Sequence, residues 1–273
     1  MDKKKVAIIG GGPAGVSAAL YTLRANIDTT ILAHGESALN KAEKIDNYYG
    51  FPDGISGPDL YDNGINEATA IGAKVINEEV VGLNFGAKLE IKTTDNIYEA
   101  DAVILAMGSQ RKAPKIDGIK EFEGNGVSYC AVCDGFFYRG KTVAVLGDGE
   151  YAANERAELE PIAAEVIALD DLDVIERFSG DQKLKKVEFK DGSTQEIDGL
   201  FVAIGTAGAG DLAKKVGIFT DENNKIMVDE NMATNIPGIY AAGDCTGGFL
   251  QVSKAVADGA MAANSVIKYL RTK

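Results

Sequence analysis

Apolar positions along this chain follow two periods in turn, and each change of period marks an element. Val6 to Ile9, in "KKKVAIIGGGPAG", form an unbroken apolar run of the kind that sits in a parallel sheet buried on both faces. From Pro13 to Ala25 the period becomes helical, and "DTTILA" then reads as a second strand. Near the other end Gly238 to Ala242 is a strand running into Gly243-Asp244, and an apolar helical pattern closes the sequence. In between, the series starts again. Val143 to Leu146 is a strand, "YAANERAELEPIA" is helical until Pro161 interrupts it, "EVIAL" is the next strand and "KKVEFKDGSTQEI" a ribbon.

The junctions carry glycines at meaningful spacing. Gly10, Gly12 and Gly15 give G-x-G-x-x-G between a strand and a helix, with Pro13 and Ala14 at the helix start. Such glycines permit a tight turn, a close backbone approach to a pyrophosphate and close helix packing. The helix start offers N–H groups and a positive dipole end to the phosphates. The acid expected after the second strand is displaced: Ala33 and His34 stand there, and Glu36 follows two residues later. Asp244, at a strand end facing a helix start, suits either a ribityl hydroxyl or an ordinary strand–turn role.

Together the two ends resemble the FAD-binding domain of two-dinucleotide flavoprotein disulfide reductases, which is built from both chain termini. "ILAMGSQRKAP" at 104–114 is similar to that family's A-T-G crossover strand, with Met107 in place of Thr. "IDNYYGFP" at 45–52 is similar to its E-N-(W/Y)-P-G flavin loop, with Tyr49 and Gly50 where Pro and Gly are expected. The resemblance implies FAD, held by Gly10, Gly12, Pro13, Ala14, Gly15, Glu36, Asn47, Gly108, Gly243, Asp244, Gln251 and Val252. It also implies an α/β fold of two Rossmann-like, three-layer FAD/NAD(P)-binding domains. The flavin domain is expected over 1–112 and 207–273, and a shortened second domain is inserted at 113–206.

Composition narrows the partners. The 28 Lys and Arg against 41 Asp and Glu give a formal net charge of −13, which argues against a nucleic-acid partner. No stretch approaches the roughly 18 consecutive apolar residues of a membrane span, and the first residues lack a signal peptide's pattern. Three cysteines without a secretory signal point to a reducing, cytoplasmic setting, where a disulfide would be catalytic.

Two of the three form Cys130-Ala131-Val132-Cys133. The spacing has three readings: half a zinc site, a chance pair, or a redox dithiol. Zinc would need Cys245 and His34, which are far apart and lack ligand spacing. Exchange chemistry suits the pair better, because a helix start favours one thiolate and the second thiol closes a short disulfide ring. Asp134 follows directly, as a candidate acid/base or an ordinary turn residue. "CAVCDG" resembles the C-(A/V)-x-C-D-G active site of low-molecular-weight thioredoxin reductases. By that resemblance Cys133 faces the flavin, Cys130 attacks the disulfide of thioredoxin, Asp134 is the acid/base and the enzyme is a homodimer.

The inserted domain departs from a nucleotide site. Gly147, Gly149 and Ala152 give G-x-G-x-x-A, but Asp148 lies between the glycines and Tyr151 is expected to put a bulky ring in the phosphate turn. Asp170-Asp171-Leu172-Asp173 replaces the basic motif that NADP-linked relatives carry. Only about a dozen residues separate Asp173 from the ribbon, too few for a further helix and strand. The domain resembles that of compact thioredoxin reductases that take electrons from ferredoxin instead of pyridine nucleotides. Arg111, Lys112 and Lys115 are a candidate basic patch for such a donor. Asp170, about 20 residues past the glycines, keeps NADH open as the alternative, since an acid there binds a ribose 2′-OH. A flavin-bound redox sensor or scaffold is the third reading.

Overall fold

A computed structural model describes residues 3–35, 37–108, 114–129, 131–204 and 208–273, without the side chains of Lys41, Val132, Cys133 and Glu150. The chain divides into a terminal unit, Met1–Gln110 with Gly208–Lys273, and an inserted unit, Arg111–Ala207. In chain order the terminal unit opens with β1 (Lys5–Ile9), α1 (Pro13–Arg24), β2 (Asp28–Leu32), α2 (Gly57–Ala70) and β3 (Lys74–Ile76). It continues through β4 (Val80–Phe85), β5 (Leu89–Thr93), β6 (Ile97–Ala100) and β7 (Ala102–Leu105). The inserted unit carries β8 (Val127–Ser128), α3 (Ala131–Asp134), β9 (Thr142–Leu146), α4 (Glu150–Leu159) and β10 (Glu165–Leu169). Its antiparallel strands β11 (Ile175–Gly180), β12 (Leu184–Phe189) and β13 (Thr194–Glu196) precede β14 (Gly199–Val202). The chain then returns through α5 (Ala209–Lys215), β15 (Ile239–Ala241) and α6 (Val252–Thr272).

The terminal unit is built on a five-stranded parallel sheet, β15-β7-β1-β2-β3. Alternation along β1 explains its three layers. Val6 and Ile8 face α1 and α6, while Ala7 and Ile9 face α5 and the antiparallel sheet β4-β5-β6. Both faces are covered, so the strand is apolar at every position from Val6 to Ile9. A fully buried Ile such as Ile8 or Ile104 contributes about 1.5–3 kcal/mol relative to an exposed one.

The inserted unit repeats the plan on a smaller scale. Its parallel sheet, β10-β9-β14-β8, packs Ala144, Leu146, Leu200 and Val202 against the β11–β13 sheet through Phe178, Leu184 and Val187. The opposite face, Val143, Val145, Phe201 and Ala203, packs on α4 through Tyr151, Ala152 and Leu159. Between β10 and β12 the described chain holds a strand but no further α-helix. Ile175–Gly180 forms β11, making the expected ribbon a three-stranded sheet. Burial of Ile175 and Phe178 drives that pairing.

Candidate functional site

In the terminal unit, β1, β7 and β15 are parallel neighbours, and the turns that follow them gather at one sheet edge. Ligands of open α/β sheets bind outside the carboxyl ends of the strands. Gly10 has φ +114°, and a Cβ there would meet the Ala106 carbonyl oxygen at 2.2 Å, so the chain admits only glycine. A Cβ on Gly15 would lie 1.9 Å from the Gly10 carbonyl oxygen, which seats α1 against the turn. Gly12, the N-cap of α1, is different: a Cβ there would meet nothing within 4 Å. Its missing side chain leaves open space beside first-turn N–H groups that no side chain caps. Pro13 and Ala14 then begin the helix. Gly12's open side fits a pyrophosphate, and these residues would hold that part of FAD.

The distant half of the chain closes on the same turn. A Cβ on Gly243 would stand 2.9 Å from the Ala14 Cβ, and one on Gly259 would stand 2.1 Å from the Ala14 carbonyl oxygen. Asp244 begins the short turn Asp244–Thr246. Gln251 caps α6, Val252 is its first residue, and the Asn47 side-chain amide donates to the Gln251 Oε1 at 2.9 Å. Two of the expected flavin positions, some 200 residues apart, therefore touch. Gly108, at φ +70° after β7, has no Cβ neighbour within 4 Å. Glu36 lies outside the described residues.

Sequence reasoning missed the residues that shape this turn. The Lys254 ammonium donates to the Gly243 carbonyl (3.2 Å), the Thr246 hydroxyl (3.0 Å) and the Gly247 carbonyl (2.7 Å), and pairs with Asp258 at 2.7 Å. The Asp258 carboxylate accepts the Gly243 N–H at 3.0 Å, while Lys225 donates to the Asp244 carbonyl at 3.2 Å. The available signal was a Lys and an Asp at i, i+4 on an otherwise apolar face of the last helix.

In the inserted unit, Cys130 lies outside the described residues, as does the Cys133 side chain, so the expected disulfide is outside the described set. Its surroundings are described. Asp134 closes α3, and its Oδ2 accepts from the Ser128 hydroxyl at 2.6 Å. Burial, then the Asp134 and Asp198 carboxylates, push the Tyr138 hydroxyl above its ordinary pKa. Phe136 and Phe137 stand exposed just beyond.

The second glycine turn copies the local geometry of the first. Gly147 has φ +142°, a Cβ there would meet the Ala203 carbonyl oxygen at 2.2 Å, and Gly149 caps α4 with open space around it. Asp148 is exposed in the turn. Tyr151 corrects an expectation: its ring is 1% exposed and packs in the core with Val145 and Phe201, not in the phosphate turn. The ring turns inward because α4 brings that position onto the sheet. Asp170 is also committed. Arg156 binds its Oδ1 at 2.8 Å and donates to the Gly147 carbonyl at 3.3 Å.

Two dinucleotide-type turns on parallel sheets, one of them joined by the carboxy-terminal Gly243-Asp244 turn, define a flavoprotein oxidoreductase fold. Residues 4–179 and 172–259 match the pyridine nucleotide-disulphide oxidoreductase family, and the chain belongs to it; FAD is the cofactor of that family. A thioredoxin reductase of Listeria innocua serovar 6a is 35% identical over 97% of this chain and 93% of its own length. The crystal structure of an atypical thioredoxin reductase from Desulfovibrio vulgaris Hildenborough matches with a TM-score of 0.89 and 39% identity, covering 99% of both chains. A ferredoxin-flavin thioredoxin reductase from Clostridium acetobutylicum matches with a TM-score of 0.71 and 32% identity, covering all of both chains. Among the described residues no helix is long and apolar enough to cross a membrane, and no cluster of His, Cys, Asp and Glu is arranged to hold a metal.

Proposed function

We propose that the protein is a thioredoxin reductase that draws electrons from ferredoxin and delivers them through the Cys130–Cys133 pair. The observation that carries the choice of donor is the Arg156–Asp170 ion pair. Asp170 is the acid expected at the ribose of NADH, and Arg156 engages its Oδ1 while also holding the Gly147 carbonyl. Asp148 adds a negative charge to the turn where a pyrophosphate would need N–H groups. The full-length likeness to a ferredoxin-flavin thioredoxin reductase supports the same reading.

The chain's own chemistry follows from thiol–disulfide exchange. The Cys130 thiolate attacks one sulfur of the thioredoxin disulfide, forming a mixed disulfide and expelling the other sulfur as a thiolate. The Cys133 thiolate then attacks the Cys130 sulfur, closing the Cys130–Cys133 disulfide and releasing the second thioredoxin sulfur. Two electrons leave the pair, and two protons complete the thiols of thioredoxin. Asp134, oriented by Ser128, is the group that handles a proton beside the pair. Phe136 and Phe137 offer an apolar platform next to it for the partner. Bound FAD supplies the conversion between the one-electron currency of ferredoxin and the two-electron disulfide. Gly10, Gly12, Pro13, Ala14, Gly15, Asn47, Gly108, Gly243, Asp244, Gln251 and Val252 are the described residues proposed to hold it.

The test is anaerobic mixing of the holoenzyme with NADH, NADPH or reduced ferredoxin, with thioredoxin as acceptor. Ferredoxin alone should bleach the flavin band and generate thioredoxin thiols, and Cys130→Ser should abolish that turnover. Rapid bleaching by NADH would overturn the donor, making this an NADH-linked enzyme. Full turnover by Cys130→Ser would overturn the exchange role.

A further inference from the structure

Helix α6 carries a lysine where its own stability is not served. Lys254 is the third residue of the helix, where the positive end of the dipole disfavours a cation and the first turn holds no acid. The side chain is 23% exposed and gives up rotamer freedom to reach the Gly243 and Gly247 carbonyls, the Thr246 hydroxyl and Asp258. What it grips is the turn over residues 243–248. Gly247 and Gly248 follow Gly243 in the left-handed region, at φ +77° and +75°, so this stretch has much conformational freedom to lose. Its carbonyls are engaged one after another. Lys254 donates to those of Gly243 and Gly247, Lys225 to that of Asp244, and the Ile226 N–H to that of Cys245 at 2.8 Å. Asp258 completes the arrangement through one oxygen, its Oδ2, which accepts the Gly243 N–H and pairs with Lys254.

The helix that bears this pair is itself fixed to α1. The Ser17 hydroxyl donates to the Val256 carbonyl at 2.7 Å, and a Cβ on Gly259 would lie 2.1 Å from the Ala14 carbonyl oxygen. Val256 and Gly259 flank Asp258 in the chain, so a packed path runs from the start of α1, through α6, to the Gly243 turn. We infer that Lys254, anchored by Asp258, is a positioning residue of the flavin site, which holds the 243–248 turn in one shape beside the start of α1. FAD then meets a formed site and leaves it slowly. The inference rests on the reading of the Gly12 and Gly243 turns as two sides of that site. Without the ammonium, two carbonyls and a hydroxyl lose a charged donor, and a glycine-rich turn is free to sample other shapes. Ordering it again on binding costs affinity.

The test dilutes holoenzyme and measures the rate at which free FAD passes a protein-retaining filter, at temperatures where far-UV circular dichroism shows the chain folded. Lys254→Met keeps an unbranched side chain and removes the charge and the donors. It should release FAD about tenfold faster than the parent. Lys254→Arg restores a charged donor and should bring release most of the way back to the parent's rate, a rescue that packing alone would not give. A folded Lys254→Met protein that releases FAD at the parent's rate would overturn the inference, and so would Lys254→Arg releasing it as fast as Lys254→Met. A parent that purifies without FAD would overturn the reading of the flavin site instead. If Lys254→Met does not fold, Asp258→Asn keeps an acceptor for the Gly243 N–H and removes the ion pair. Its release of FAD should quicken severalfold, and an unchanged rate would overturn the inference.

Discussion

Cys245 and Gly243 are close neighbours in sequence under different physical constraints. The Cys245 thiol is 2% exposed and donates to the Leu105 and Ala242 carbonyls at 3.4 and 3.3 Å. Burial pushes its pKa up to about 12, with the Ala242 bond and the Lys254 and Lys225 charges offsetting only part of the effect. At pH 8 roughly one molecule in ten thousand carries the thiolate, the reactive form. Iodoacetamide should therefore leave Cys245 unmodified in the native protein and label it after denaturation, as peptide mapping would read. Native labelling of Cys245 as fast as Cys130 would contradict its burial. Gly243, at φ +83°, has no room for a methyl group against Ala14. Gly243→Ala should cost about 1–3 kcal/mol and release FAD, read as a lower Tm and a pale protein. An unchanged Tm with full flavin content would show that the turn tolerates the change.

At the scale of elements, α1 and α4 start from the same local geometry and serve different ends. Both follow a glycine N-cap in extended conformation, Gly12 at φ −75° and Gly149 at φ −91°. Both N-caps face open space, but the first helix packs beside the Gly243 turn, whereas the second pairs Arg156 with Asp170 and Glu155 with the Ala131 N–H. That contrast was only half legible in the sequence, because strand, turn and helix are local patterns and ion pairing across 14 residues is not. The β11–β12 pair gives an element-scale test. Arg177 and Glu188 are register partners at 2.8 Å, and Arg177, then Ser179 and Lys186, hold the Glu188 pKa down at about 2 from an ordinary 4.5. A depressed carboxylate pKa stabilises fully above about 4.5 and loses the contribution as pH falls through about 2. Glu188→Gln should lower Tm at pH 7, and the gap to the parent should close on acidification toward pH 2. The pair is solvent-screened, so the gap is small. A gap that persists undiminished at low pH would exclude the ion pair as its cause.

For the whole molecule, electron counting tests whether flavin and dithiol work together. Anaerobic dithionite titration should consume two equivalents per flavin in the parent and one in Cys130→Ser. Equal consumption by the two proteins would mean that the cysteine pair takes no electrons. The net charge of −13 bears on the donor as well. An acidic ferredoxin needs a local basic patch, and of the candidates Arg111, Lys112 and Lys115 only Lys115 falls among the described residues. Lys115→Glu should slow reduction by ferredoxin, most at low ionic strength, and leave exchange with thioredoxin unaltered. Equal slowing of both reactions would place its effect elsewhere.

The sequence by itself determined what short-range physics controls. Unbroken apolar runs made buried parallel strands, glycine spacing made two dinucleotide-type turns, and a C-x-x-C-D-G run carries the exchange chemistry proposed above. Tertiary structure decided what surrounds each of those turns. Lys254 and Asp258 reach back to the Gly243 turn, Arg156 closes on Asp170, and the inward turn of Tyr151 and Glu155 exists only once α4 lies on its sheet. Each depends on side chains brought together by burial across the fold, and no local pattern encodes a meeting of that kind.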